Sequence, residues 1–145
     1  MRLDSRLSRV LHVLLHMNKD RSNPMTSETI AAMLGTNAAV IRRTMAGMRK
    51  AGYVTSEKGH GGGWLLTCDF SQTSLLDIYQ AVGSPQLFAM GCDNEHPNCV
   101  VEKAVNSAIQ DAFAQAQQLI FNRFADISLA MLSDDFIERY LDAIS

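Results

Sequence analysis

Cys92, His96 and Cys99 fall close together in a stretch that also carries Asp93 and Glu95. Thiolates and imidazoles at such distances can hold zinc, copper or an iron-sulphur cluster, or the two thiols can be oxidised together. The spacing matches no standard zinc pattern, so Cys92, His96 and Cys99 are metal candidates only, and a thiol switch between Cys92 and Cys99 is the simpler chemistry. His12 and His16, four residues apart, lack a third ligand nearby in the sequence. Arg42, Arg43 and Lys58, with His60, form a second set, of cations that can reach guanine edges or phosphates. No nucleophile, base and oxyanion donor can be assembled at plausible spacing, which argues against an enzyme.

These groups sit in a chain of 145 residues, 47% hydrophobic and 19% charged, enough for one ordinary core with an extension. The net charge of −2 hides an asymmetry. Residues 1–65 carry ten Lys or Arg against four acids, whereas the remainder carries three against eleven. One half can meet a polyanion that the other repels. Three cysteines cannot supply a disulfide framework, which fits a reducing compartment. No apolar run approaches the ~18 residues of a membrane span, and Val10 to Leu15 is too short for a signal peptide. A soluble cytoplasmic protein is expected.

Leu3, Leu7, Val10, Leu11, Leu14 and Leu15 recur at helical spacing and predict a first helix from about Leu3 to Met17. Arg2, Arg6 and Arg9 near its start oppose the helix dipole, as an anion there would compensate. Thr26 offers an N-cap for a second helix with Ile30, Met33 and Leu34 inward, and Gly35 ends it. Asn37 caps a third, with Ile41, Met45 and Met48 inward and Ala38, Ala39, Arg42, Arg43, Arg49 and Lys50 outward. Two short helices joined by a tight glycine turn make a helix-turn-helix, whose second helix enters the major groove.

Tyr53 to Ser56 and Trp64 to Cys68 read as the strands of a hairpin, with Trp64 filling the core. The four glycines among Gly59–Gly63 exceed what a hairpin needs and suggest that backbone lies close to another surface, such as a DNA minor groove. Ser74 caps a fourth helix stopped by Gly83-Ser84-Pro85. A long amphipathic helix follows from about Asn98 to Phe124, with an Ala-rich stripe suited to its own copy in a twofold dimer. Ser133 begins a terminal helix, Phe136 to Ile144.

This order resembles the Rrf family of winged helix-turn-helix transcription regulators, of the iron-sulphur cluster and nitric-oxide-sensing type. The resemblance rests on Met1-Arg2-Leu3, on Ile30-Ala31 with Leu34-Gly35, on Met48 to Val54, on Lys58 to Trp64 and on Leu75-Leu76-Asp77-Ile78. It implies a mainly α fold: a winged helix-turn-helix domain over 1–83 with a small β-hairpin wing, a cysteine-containing sensor loop over 84–97, and a dimerisation helix and terminal helix over 98–145. It also implies a homodimeric regulator, read here as a repressor, that binds a double-stranded DNA operator. The recognition helix would enter the major groove and Lys58, the wing cation, the minor groove. Family members often carry Glu where this chain has Arg42 and Arg where it has Lys58, so a different operator sequence is expected. Many ligate an iron-sulphur cluster through three closely spaced cysteines; only Cys92 and Cys99 lie in this loop, which disfavours a cluster and leaves no firm cofactor.

The expected DNA contacts are Arg2, Arg6 and Thr26 on phosphates, Asn37, Ala38, Ala39, Arg42 and Arg43 at the recognition helix, and Lys58, His60 and Gly61 on the wing. Cys92 and Cys99 would carry an oxidant or small-molecule signal, with Cys99, near a helix start, as the nucleophile. The alternatives are an iron-sulphur or metal-responsive regulator, or a thiol- or metal-handling interaction protein that does not bind DNA.

Overall fold

The computed structural model describes residues 3–59, 62–93, 96 and 98–144. Helix α1 spans Arg6–Met17 and begins later than its apolar spacing predicts. Leu3 is left 84% exposed outside it, while the Asp4 carboxylate accepts the Arg6 amide at 3.0 Å and grips the Arg6 guanidinium at 2.7 Å. The anion expected at this helix start is therefore supplied, for Arg6, by the chain itself.

Helices α2 (Ser27–Leu34) and α3 (Ala38–Lys50) form the helix-turn-helix. The Thr26 hydroxyl accepts the Thr29 amide, and the Asn37 side chain accepts the Val40 amide, so both predicted caps are made. Gly35 closes α2 at φ 68°, a conformation that glycine adopts without strain. Ile41, Met45 and Met48 are fully buried, as their spacing requires. Met33, expected inward, is exposed: the buried side of α2 is Ser27, Ile30 and Ala31, which turns position 33 to the edge.

Strands β1 (Val54–Glu57) and β2 (Gly63–Leu66) pair antiparallel, from Val54 opposite Leu66 to Glu57 opposite Gly63. Met25 bridges the other edge of β2 through reciprocal bonds with Trp64 of 2.8 and 3.1 Å. This accounts for part of the glycine excess. A Cβ on Gly63 would stand 2.6 Å from the Met25 carbonyl oxygen, and one on Gly62 2.4 Å from that of Glu57. At these two positions the close approach is made by the protein's own backbone. Trp64 is buried in the core and its indole N–H donates to Ser27 Oγ at 3.0 Å.

Helix α4 (Leu75–Ala81) starts with a capping box in which Ser74 and Asp77 satisfy each other's amides. Among its described residues the following segment has no regular element before α5, yet it is tied down at two points. The Tyr79 hydroxyl donates to the Pro85 carbonyl, and Phe88 stacks on Phe113 with ring centroids 5.0 Å apart.

Helix α5 (Val100–Asp126) is about 40 Å long at ~1.5 Å per residue. Phe121 and Phe124 pack on Tyr79 of α4, but no residue of α5 is buried. Helix α6 (Leu129–Ile144) begins before the predicted Ser133, because Ser128 Oγ caps it by accepting the Met131 amide. Leu129 is fully buried in the core, and Ser133 instead accepts a bond from Asn18 at 3.3 Å.

Candidate nucleic-acid interface

Burying Ile41, Met45 and Met48 turns the opposite side of α3 outward. Ala39, Arg42, Arg43, Arg49 and Lys50 are exposed there, while Ala38 is half-buried. The four cations are not equally available. Arg42 Nη2 is held by Glu28 Oε1 at 2.5 Å, across the two helices of the motif. Both side chains are more than half exposed, so the pair is worth ~0–1 kcal/mol and opens at little cost. Arg43, one residue on, makes no hydrogen bond or ion pair among the described residues.

Arg49 has a role the sequence reading did not single out. Its guanidinium lies 5.8 Å from the Trp64 ring centroid and donates to Ser56 Oγ at 3.2 Å, tying α3 to the hairpin. The contact joins residues of separate elements, and no local spacing announces it. Lys58 is exposed at the wing, next to Gly59 at φ 98°. His60 and Gly61, expected to accompany it, lie outside the described residues, as does Arg2.

Of the groups expected on phosphates, Arg6 is occupied on two sides, by Asp4 and by the Val82 carbonyl at 3.2 Å. The side-chain and backbone hydrogen bonds from Arg6 hold the Asp4 carboxyl at about 2, below the usual carboxylate range. Thr26 and Asn37 spend their side-chain oxygens on the caps, accepting the Thr29 and Val40 amides.

The three thiols differ. Cys68 is buried just beyond β2, and burial pushes its pKa up. Cys92 is half-buried. Cys99 is exposed at the N-cap of α5. Its side chain closes no full capping bond, but the amides of Glu102 and Val101 hold its pKa below that of an ordinary thiol. No three His, Cys, Asp or Glu side chains come together to hold a metal ion among the described residues, and Glu95 lies outside them. Two loop thiols, with the third buried apart beyond β2, fall short of the three closely spaced cysteines of a cluster-binding loop.

His12 and His16 share one face of α1, with their Nε2 atoms 3.0 Å apart. Phe136 and Lys19 line the same groove. No helix is long and apolar enough to cross a membrane among the described residues.

Comparison with known proteins agrees with this architecture. The Rrf2 family, described as iron-dependent transcriptional regulators, matches residues 3–135. YwnA of Bacillus subtilis (strain 168), assigned as an HTH-type transcriptional regulator, is 34% identical over 128 residues, which is 88% of this chain and 93% of YwnA. A crystal structure of a protein from Lactobacillus plantarum, assigned as a transcriptional regulator, superposes with a TM-score of 0.77 at 20% identity, covering 97% of this chain and 99% of that one. CymR, the global cysteine regulator of B. subtilis, superposes with a TM-score of 0.67 at 16% identity, covering 92% and 97%. At those identities the two structures speak for the fold, and the profile match with the YwnA similarity speaks for the family. The chain is a member of the Rrf2 family of transcriptional regulators, not an enzyme.

Proposed function

We propose that this protein is a cytoplasmic, homodimeric repressor that reads a twofold-symmetric DNA operator with α3 and the wing. The observation that carries this is the outward side of α3. It gathers Arg42, Arg43, Arg49 and Lys50 beside a wing bearing Lys58, in the half of the chain where basic residues outnumber acids ten to four. Arg43 and Ala39 face base edges. Arg42 joins them when it exchanges Glu28 for a base or phosphate. Lys58, His60 and Gly61 enter the minor groove, and Arg2, Arg6, Thr26 and Asn37 lie along phosphates. Residues 1–83 form the DNA-binding domain, 84–97 the sensor loop and 98–145 the dimerisation part. Exposed Val101, Val105 and Leu119 on α5 support a second copy as the partner of that helix.

The signal we assign to the loop is oxidation. The Cys99 thiolate attacks a peroxide, cleaving the O–O bond to give a sulfenic acid and one water after protonation. The Cys92 thiol then displaces the hydroxyl as a second water and closes a disulfide. Because Phe88 anchors the loop on Phe113, drawing Cys92 to the start of α5 pulls on the helix that sets the spacing of the two recognition helices. Support for this reading is the exposed, activated Cys99 and the half-buried Cys92 in the same loop.

Selection of duplexes from a random-sequence pool by the purified protein tests the first part. An enriched inverted repeat is expected, and recovery of unrelated sequences would contradict it. Peroxide should weaken binding to that repeat in the wild type but not in Cys99→Ser. A normal response in Cys99→Ser would remove the thiol switch.

A further inference from the structure

Between α1, the side of α3 and the end of α4 lies a cleft of about 560 Å³, within the ~300–1,000 Å³ of small-molecule sites. Its apolar lining is Val40, Ala81 and Val82, all half-buried, together with the fully buried Val10 and Met48. Its rim carries Arg6, Arg9 and Arg43, and Thr36 and Thr44 add two hydroxyl-bearing side chains. The cleft thus combines apolar side chains with cations from two of its walls, α1 and α3.

Those cations are unequally spent. Arg6 is neutralised by Asp4 and bonded to the Val82 carbonyl. Arg9 reaches only Ser5 Oγ, at 3.5 Å, and Arg43 has no partner among the described residues. Two guanidinium groups without an ion pair among the described residues, Arg9 feeling Asp4 only through space, therefore border a hollow partly lined by apolar side chains. A lone duplex phosphate would satisfy the rim and leave the hollow uncovered, whereas an anion on a compact apolar body covers both.

We propose that this cleft binds a small amphipathic anion, a carboxylate or phosphate on a compact apolar body, through Arg9 and Arg43 with the body against Val40 and Val82. The anionic oxygens are the chemistry it shares with DNA. Arg43 is also an outward cation of α3 with no ion pair among the described residues, so an occupied cleft withholds it from the operator and ligand and duplex compete. That competition rests on the DNA-binding reading above; binding of the anion does not.

The full-length protein, free of DNA, is titrated with benzoate and separately with inorganic phosphate while the valine methyl resonances are followed. Benzoate is expected to shift Val10, Val40 and Val82 saturably. Arg9→Gln and Arg43→Gln should each weaken it about tenfold, as loss of a charge-assisted contact does, with the other methyl resonances unchanged to report an intact fold. No saturable shift with benzoate at tens of millimolar, or undiminished binding in the Arg9→Gln/Arg43→Gln double variant, would overturn the proposal. Phosphate binding as tightly as benzoate would also overturn it, assigning the rim to duplex phosphates alone. In a second arm at constant ionic strength, benzoate should weaken binding to the selected duplex. Unchanged duplex affinity with the cleft saturated would overturn the competition, and a protein that binds benzoate but no duplex would locate the failure in the DNA reading.

Discussion

The winged half and the C-terminal arm are held by opposite means. Among the largest fully buried side chains, all but Leu129 come from α1 to α4, whereas α5 buries none and exposes Val101, Val105 and Leu119. Helix α6 enters the core through Leu129 and then leaves Ile137, Tyr140 and Leu141 exposed. The first half satisfies its own hydrophobic demand and spends its surface on charge. The arm leaves apolar surface exposed, and in the proposed dimer the link between signal and spacing falls in this less self-sufficient part.

The sharpest way to break that comparison is to damage each region in turn. Ile41→Ala or Leu14→Ala should cost ~2–5 kcal/mol in denaturant unfolding, because each leaves a cavity in a closed core. Val105→Asp with Leu119→Asp should leave the winged half folded by its amide spectrum but convert a dimer to a monomer in sedimentation. If the double aspartate variant still sediments as the wild type does, α5 is not the dimer helix.

Within the charged surface the effects on DNA are smaller and differ in kind. Arg43→Ala or Arg42→Ala should cost ~1–3 kcal/mol on the selected operator and lower discrimination against altered sequences. Arg6→Ala should weaken all duplexes about equally. Competition binding to operator and scrambled duplexes checks this, and identical behaviour of Arg42→Ala and Arg6→Ala would refute the division of roles. Glu28→Gln should loosen Arg42 and change affinity by less than either, in keeping with an exposed pair.

The thiols give a comparison without an energy attached. Cys99, activated by the start of α5, should be alkylated first and at a lower pH than an ordinary thiol, with Cys68 last because burial both shields it and raises its pKa. Mass mapping of iodoacetamide labelling against pH reads the order.

The smallest effect lies between α1 and α6. Burial, Lys19 and His12 lower the His16 pKa from its free value of 6.5. The unfolded chain therefore binds this proton more readily than the folded one. The stability is present above pH 6.5 and is lost as pH falls through the lowered value. His16→Gln should show less loss of thermal stability than wild type between about pH 7.5 and about pH 5.5.

Much of this fold was legible because local chemistry and tertiary packing agree. Thr26, Asn37 and Ser74 are caps in both sequence and structure, and the periodicity of Ile41, Met45 and Met48 marks the inner side of α3. The misreadings arise where a partner lies outside the local window. Met33 follows the apolar spacing but sits at the edge of α2, and the start of α6 depends on Ser128, whose neighbour Leu129 reaches the core from afar. The Arg42–Glu28 pair, the Arg49–Trp64 contact and the arginine-rimmed cleft each join separate elements, so no run of residues discloses them. The glycines of the wing were visible as an excess, but their cause at Gly62 and Gly63 is the carbonyls of Glu57 and Met25.

The central claim is that α3 and the wing hold a duplex through cations that specify as well as attract. Its most direct test is the affinity for the selected operator, measured against salt concentration for wild type and Arg43→Ala. The account predicts a linear fall of log affinity with log salt, of slope about −0.9 per phosphate neutralised, together with a loss of operator preference in the variant. Affinity independent of salt, or a variant that keeps full preference for the operator, would contradict it.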